Sequence, residues 1–260
     1  MGPVSGLERA WVPPGSARGG PGRASRHGPR LQGVAEPITP STGWGVLHLF
    51  YRAGPDADAG AISAAVKGVL DDEHQVVAAS ILGHKADLCF LALGSDLRRL
   101  RRLQSELDRT GLERASSYVS LTEVSEYAAG MPEQMLQARL YPRLPPDGMP
   151  AFCFYPMSKR RLPGDNWYAL PYDERLRLML GHGAVGREFR GRVLQLVTGS
   201  TGLDDYEWAV TLFGARPDDL KECVYQMRFD EASARYAEFG PFYMGITGAL
   251  EQVLDDAGVR

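Results

Sequence analysis

The stretch Trp44-Gly45-Val46-Leu47-His48-Leu49-Phe50-Tyr51 decides how the chain is to be read. Its β-branched and aromatic content suits a strand. Pro55 and Asp56 follow and open a helical stretch in which Ile62, Ala65, Val66 and Val69 share one face. Two apolar runs come next, 75–82 and 88–93. Gly83-His84-Lys85-Ala86-Asp87 separates them as a hairpin turn would. A second helix over about 97–109 sets Leu100, Leu103 and Leu107 at helical spacing, and a strand over about 116–124 closes the group. The order is β-α-β-β-α-β, the ferredoxin-like unit.

The same order is read again further on: strand 152–157, helix 172–180, paired strands 192–198 and 207–213 around a turn, helix 217–228, strand 242–246. The fold class is therefore α+β, two fused ferredoxin-like units whose sheets pack face to face or close into a barrel-like body. The expected organisation is a disordered tail at 1–42, an N-terminal unit at 43–128, a proline-rich linker at 129–150 and a C-terminal unit at 151–260. The tail is dense in Gly, Pro, Arg and Ser over 13–29 and shows no apolar period, so it cannot offset its ordering entropy.

Composition narrows the function only a little. The chain has 260 residues, 44% hydrophobic and 23% charged, which is ordinary for a globular protein. A net charge of -3 offers no electrostatic reason to expect nucleic acid. No apolar run approaches the ~20 residues of a membrane span. The basic N-terminus lacks the apolar core of a secretory signal. Cys89, Cys153 and Cys223 are widely spaced with apolar neighbours, as reduced buried thiols in a cytosol would be.

Chemistry-bearing residues concentrate in the C-terminal half. In Phe154-Tyr155-Pro156-Met157-Ser158-Lys159-Arg160-Arg161 a strand ends in three cations, and alternation places Tyr155 on one face with Cys153 and Met157. Taken alone, such a segment reads as a half-buried strand tyrosine beside a solvated basic turn. His182 lies between Gly181 and Gly183 at the expected end of the helix, uncrowded enough for a flat ligand. Neutral imidazole is a standard axial ligand of haem iron, and a helix-capping histidine is the plainer alternative. Gln195 puts an amide among apolar groups on the face of Val193 and Val197. Arg139, Arg228 and Ser233 are of the types that hold carboxylates, although surface salt bridges are the default role of such arginines. His48, His74 and His84 have no ligand-like spacing.

Together the segments 154–161, Asn166-Trp167-Tyr168, Gly181-His182-Gly183, 198–205, Glu207-Trp208 and 227–236 resemble the chlorite-dismutase-like family and, within it, the coproheme decarboxylases. The resemblance covers about 43–245 and is densest from Arg139 onward. It implies a dimeric α+β barrel, a homopentamer, and a cytoplasmic role in the last step of coproporphyrin-dependent haem b synthesis. That role includes a transient contact with a coproporphyrin ferrochelatase. His182 matches the iron ligand and Tyr155 the redox tyrosine. Arg139, Tyr155, Pro156, Met157, Ser158, Lys159, Gln195 and Ser233 match coproheme-binding positions, and Arg228 falls where a further propionate-binding arginine is expected. Chlorite dismutases place an arginine where this chain has Gln195, and no distal histidine is evident between Arg139 and Tyr155. The implied reaction uses hydrogen peroxide to convert two propionates of iron coproporphyrin III to vinyl groups, giving haem b through a Tyr155 radical with Lys159 holding the reacting propionate. A chlorite dismutase, a haem peroxidase and a non-catalytic haem carrier or sensor are the alternatives.

Overall fold

The computed structural model describes residues 36–128 and 130–260. Residues 1–35 of the expected tail lie outside the described residues, and the body of the protein runs from Pro37 to Arg260.

The first half runs β1 (Gly45–Ala53), α1 (Ala59–Val69), β2 (His74–Leu82), β3 (Leu88–Gly94), α2 (Leu97–Leu107) and β4 (Leu112–Thr122). The apolar periods set the helices. α1 buries Ile62, Ala65, Val66 and Val69, and α2 buries Leu100, Leu103 and Leu107. Asp58 and Asp96 cap them, each accepting a backbone N–H from the first turn. Ile38, inside the expected tail, is held: its N–H donates to Asp96 and its carbonyl accepts from Leu97.

A helix that the linker reading missed, α3 (Glu133–Leu140), precedes β5 (Ala151–Lys159). A short hairpin, β6 (Arg161–Leu162) and β7 (Asp165–Asn166), then leads to α4 (Tyr172–Arg187), β8 (Val193–Gly199), β9 (Trp208–Gly214) and α5 (Pro217–Met227). The chain ends with α6 (Glu231–Tyr236), β10 (Ala237–Phe239), β11 (Tyr243–Thr247) and α7 (Leu250–Asp256). α4 corrects the expected helix end at 180. It continues through Gly181 and Gly183 to Arg187, so His182 is inside the helix and not its cap. Ser233 likewise belongs to its own short helix, α6, and not to the end of α5.

One antiparallel sheet organises everything. Its order is β10-β5-β11-β2-β3-β1-β4-β8-β9, and β5 also pairs with β9, so the circuit of pairings returns to its start. β10 and β11 lie one after the other along the same edge of β5. Within each half the order is the same, β4-β1-β3-β2 and β11-β5-β9-β8, and the halves meet at β2–β11 and β4–β8.

Alternation along the strands sorts side chains onto two faces. Phe50, Tyr118, Phe152, Phe154, Phe213 and Tyr243 pack with one another on one of them. His48 is buried among these rings, its Nε2 2.9 Å from Thr211 Oγ1, and burial pulls its pKa down to about 3. The other face carries helices. α1, α2 and α7 cover the first half, and α7 arrives there from the far end of the chain to bury Val253 and Leu254. α5 covers the second half over Ala151, Tyr155, Val193, Val210 and Leu212, and α4 packs against α5 and α6.

Candidate functional site

The site is built from the helix-covered face of the second half. β5 presents Cys153, Tyr155, Met157 and Lys159 there, as alternation predicts. Tyr155 stacks on Phe242 at 4.5 Å and meets Phe239 edge-on at 5.7 Å. Burial, with the Cys153 and Cys223 thiols beside it, pushes the Tyr155 phenol far above its ordinary value, against the pull of Arg228. It is therefore a neutral phenol at physiological pH. Arg228, the residue after α5, lies over the Phe239 ring at 4.7 Å and so stands on the same aromatic group as Tyr155.

α4 comes near β8 towards its C-terminal end. Phe189, just past the helix, shares a cluster with the buried Val193. One step along, a Cβ on Gly186 would sit 3.7 Å from Gln195 Nε2. His182 precedes Gly186 by one turn and shares its face. The next residue on that face of β8, Val197, is 48% exposed, and the His182 side chain is 30% exposed. Gly186 and Gln195 are thus close together, while Val197 on the strand and His182 on the helix both keep access to solvent.

The imidazole is anchored from behind. His182 Nδ1 is 3.0 Å from Asp230 Oδ2 and 3.3 Å from Ser233 Oγ. Asp230 also caps α6, accepting the Ser233 N–H on its other oxygen at 3.1 Å. Burial would push the Asp230 carboxyl up, but the His182 hydrogen bond and charge together with the Ser233 bonds outweigh it and hold it below its ordinary value. An ionised Asp230 can only accept, so the Nδ1 carries the proton and Nε2 is the basic nitrogen, in the arrangement that orients histidine ligands.

Lys159 closes the group. Its Nζ donates to the Ala232 carbonyl at 3.2 Å and lies 4.2 Å over the Trp167 ring. Burial pulls its ammonium down to about 8, with the charges of Asp230 and Glu207 opposing the fall. Glu207 fixes the strand end by accepting the Lys159 backbone N–H at 2.7 Å.

The structure thus gathers two groups of the expected residues: His182, Ser233 and Lys159 around Asp230, and Tyr155, Arg228, Met157 and Gln195 around the aromatic and thiol packing of α5 on β5. Pro156 and Ser158 occupy the alternate positions of β5. There the Pro156 carbonyl accepts from Gly240 and the Ser158 hydroxyl from the Glu207 N–H. Arg139 is exposed on α3, and the described contacts do not join it to either group. Asp230 and Trp167 were missed as site residues. An Asp three residues before Ser233 is a visible helix-cap signal, but nothing local says that it also reaches a histidine 48 positions away.

These positions can be set beside known proteins. The family model described as chlorite dismutase matches residues 58–248. A coproheme decarboxylase of Staphylococcus carnosus is 41% identical over 228 residues, 78% of this chain and 91% of that protein. A Natronomonas pharaonis protein named as a candidate haem-binding protein is 42% identical over 242 residues, 81% of this chain, and the match spans 40% of its own length. A solved structure described as a novel haem-binding protein from Thermus thermophilus superposes with a TM-score of 0.74 at 36% identity, covering 86% of this chain and 100% of that one.

Proposed function

Because the chain belongs to the chlorite dismutase family and is homologous to coproheme decarboxylases, we propose that it oxidatively decarboxylates iron coproporphyrin III to haem b with hydrogen peroxide. The observation that carries this reading is the partly exposed His182, whose Nδ1 is committed to Asp230 and whose Nε2 is left for a metal. An iron porphyrin held there would have this imidazole as its iron ligand. The residues suit the group: a basic nitrogen for iron, exposed apolar surface such as Val197 for the ring, and cations for propionates. The closed circuit of strands, read as two fused ferredoxin-like units in a dimeric α+β barrel, supports the same assignment. The resemblance also supports a cytoplasmic homopentamer supplied by a coproporphyrin ferrochelatase.

The iron porphyrin, once bound, supplies the redox chemistry with peroxide. The chain's residues do the rest. Asp230 keeps His182 in one tautomer and one orientation. Tyr155, a neutral phenol, gives up its hydroxyl hydrogen and then takes one from a propionate β-carbon; the substrate gives up one further electron to the oxidised iron porphyrin as the Cα–carboxylate bond breaks, so that carbon dioxide leaves and a vinyl group remains. Lys159, turned from the Trp167 ring and the Ala232 carbonyl, holds the reacting propionate, while Arg228, Ser233 and Arg139 hold others. Gln195 is a neutral amide; an arginine there would favour an anionic oxidant.

The test is a peroxide titration of the protein loaded with iron coproporphyrin III, followed by absorbance and mass spectrometry. The expected result is stepwise loss of two carboxyl groups. A bound chromophore whose mass never changes would make the protein a carrier, and oxygen release from chlorite would make it a dismutase.

A further inference from the structure

Two thiols share the buried side of Tyr155 and have no part in the proposed reaction. Cys153 is two residues before Tyr155 on the same face of β5. Cys223 comes down from α5 into the same cluster, 1% exposed, with its sulfur 3.6 Å from Gln195 Nε2. Both cysteines are free, and both pack in the cluster that holds Tyr155.

We infer that Cys153 and Cys223 form a redox pair that drains oxidising equivalents stranded on Tyr155 when no propionate is in place to receive them. The inference rests on the proposed reaction, since that is what puts a radical on Tyr155. The Tyr155 phenoxyl takes a hydrogen atom from one thiol: the S–H bond breaks and the phenol O–H bond re-forms. The sulfur radical joins the second sulfur as that thiol releases its proton. The remaining electron passes to the next oxidising equivalent drawn through Tyr155. In sum, one hydrogen peroxide and two thiols become two waters and one disulfide.

The surroundings favour this route over direct attack on peroxide. Burial pushes Cys153 up to about 12 and Cys223 up to about 11, so at neutral pH almost no thiolate is present to act as a nucleophile. Hydrogen-atom donation needs the neutral thiol, which is the form the packing preserves. Cys89 serves as an internal control: it is buried in the cluster on the opposite face of the sheet, away from Tyr155.

The experiment exposes the full chain to excess peroxide in three states: without ligand, loaded with iron coproporphyrin III, and loaded as Tyr155→Phe. The protein is then unfolded in denaturant, free thiols are alkylated and peptides are read by non-reducing mass spectrometry. The expected result is a Cys153–Cys223 disulfide in the loaded wild type alone, with Cys89 alkylated in every state. Cys153→Ser should lose the disulfide and bleach its porphyrin faster once substrate is exhausted. The inference is overturned if wild type makes haem b while both thiols remain alkylatable, or if the disulfide forms equally in Tyr155→Phe or without ligand. Absence of haem b from wild type would instead be a failure of the proposed reaction.

Discussion

Tyr155 is held on three sides by Phe242, Phe239 and the thiols, so its ring does not need its hydroxyl to stay in place. Tyr155→Phe should therefore bind iron coproporphyrin III almost as wild type does, losing at most one hydrogen bond to a charged group, about 1.5–3 kcal/mol. It should form no haem b, because phenylalanine offers no phenolic hydrogen. Product formation at the wild-type rate, read by chromatography after peroxide addition, would reduce Tyr155 to a packing residue. Lys159 makes a separate prediction. Its ammonium sits at about 8 and attracts propionate only while protonated. Raising the pH through about 8 removes that charge, so ligand affinity should fall there in wild type. A bound carboxylate stabilises the ammonium, which moves the fall to somewhat higher pH. Lys159→Met should bind more weakly at pH 7 and lack that step when titrated by absorbance. At this scale the sequence was legible through strand alternation, which puts Cys153, Tyr155 and Met157 on one face as found. It was silent about Asp230, whose role depends on α6 folding back against α4.

Elements were read best where a single period ran uninterrupted. The buried faces of α1 and α2 are the ones their apolar spacing names. α4 was cut short because two glycines, each costing about 1 kcal/mol against alanine in a helix, suggested a stop. Packing against α5 and α6 overrides that local penalty. α3 and α7 escaped for the opposite reason: α3 buries only Leu140, and α7 is too short to display a period. The energetic consequence can be tested on α2. Leu103 is 1% exposed in the first half's core, so Leu103→Ala should cost about 2–5 kcal/mol in denaturant unfolding. The proposed iron-porphyrin site lies in the other half, so the spectrum of the loaded, still-folded protein should not change. A loss below about 0.5 kcal/mol would mean that this face is not the packed interface described here.

For the whole molecule, the tail has to be divided more finely than composition alone suggested. Ile38 bonds with the N-terminus of α2 through both its N–H and its carbonyl. Deleting 1–35 should leave the melting temperature unchanged. Deleting 1–42 removes those bonds and should lower it by about 2–4 °C per kcal/mol lost, as scanning calorimetry would register. Equal melting temperatures for the two truncations would mean that the Ile38 contacts contribute nothing.

The same architecture constrains how the protein is made. β2 is complete by Leu82, yet its outer neighbour is β11, and the core over α1 lacks α7 until residues 250–256 are made. A chain emerging from the ribosome N-terminus first presents an open β2 edge and an unsealed apolar face through most of its synthesis. The first half is thus committed early and finished last. A translation product stopping after Gly214 would keep the whole first-half sheet while exposing the edge that β11 should cover. Such truncated chains would stick to one another through β2, and a cell making this protein has reason to shelter the nascent chain until β11 and α7 have emerged.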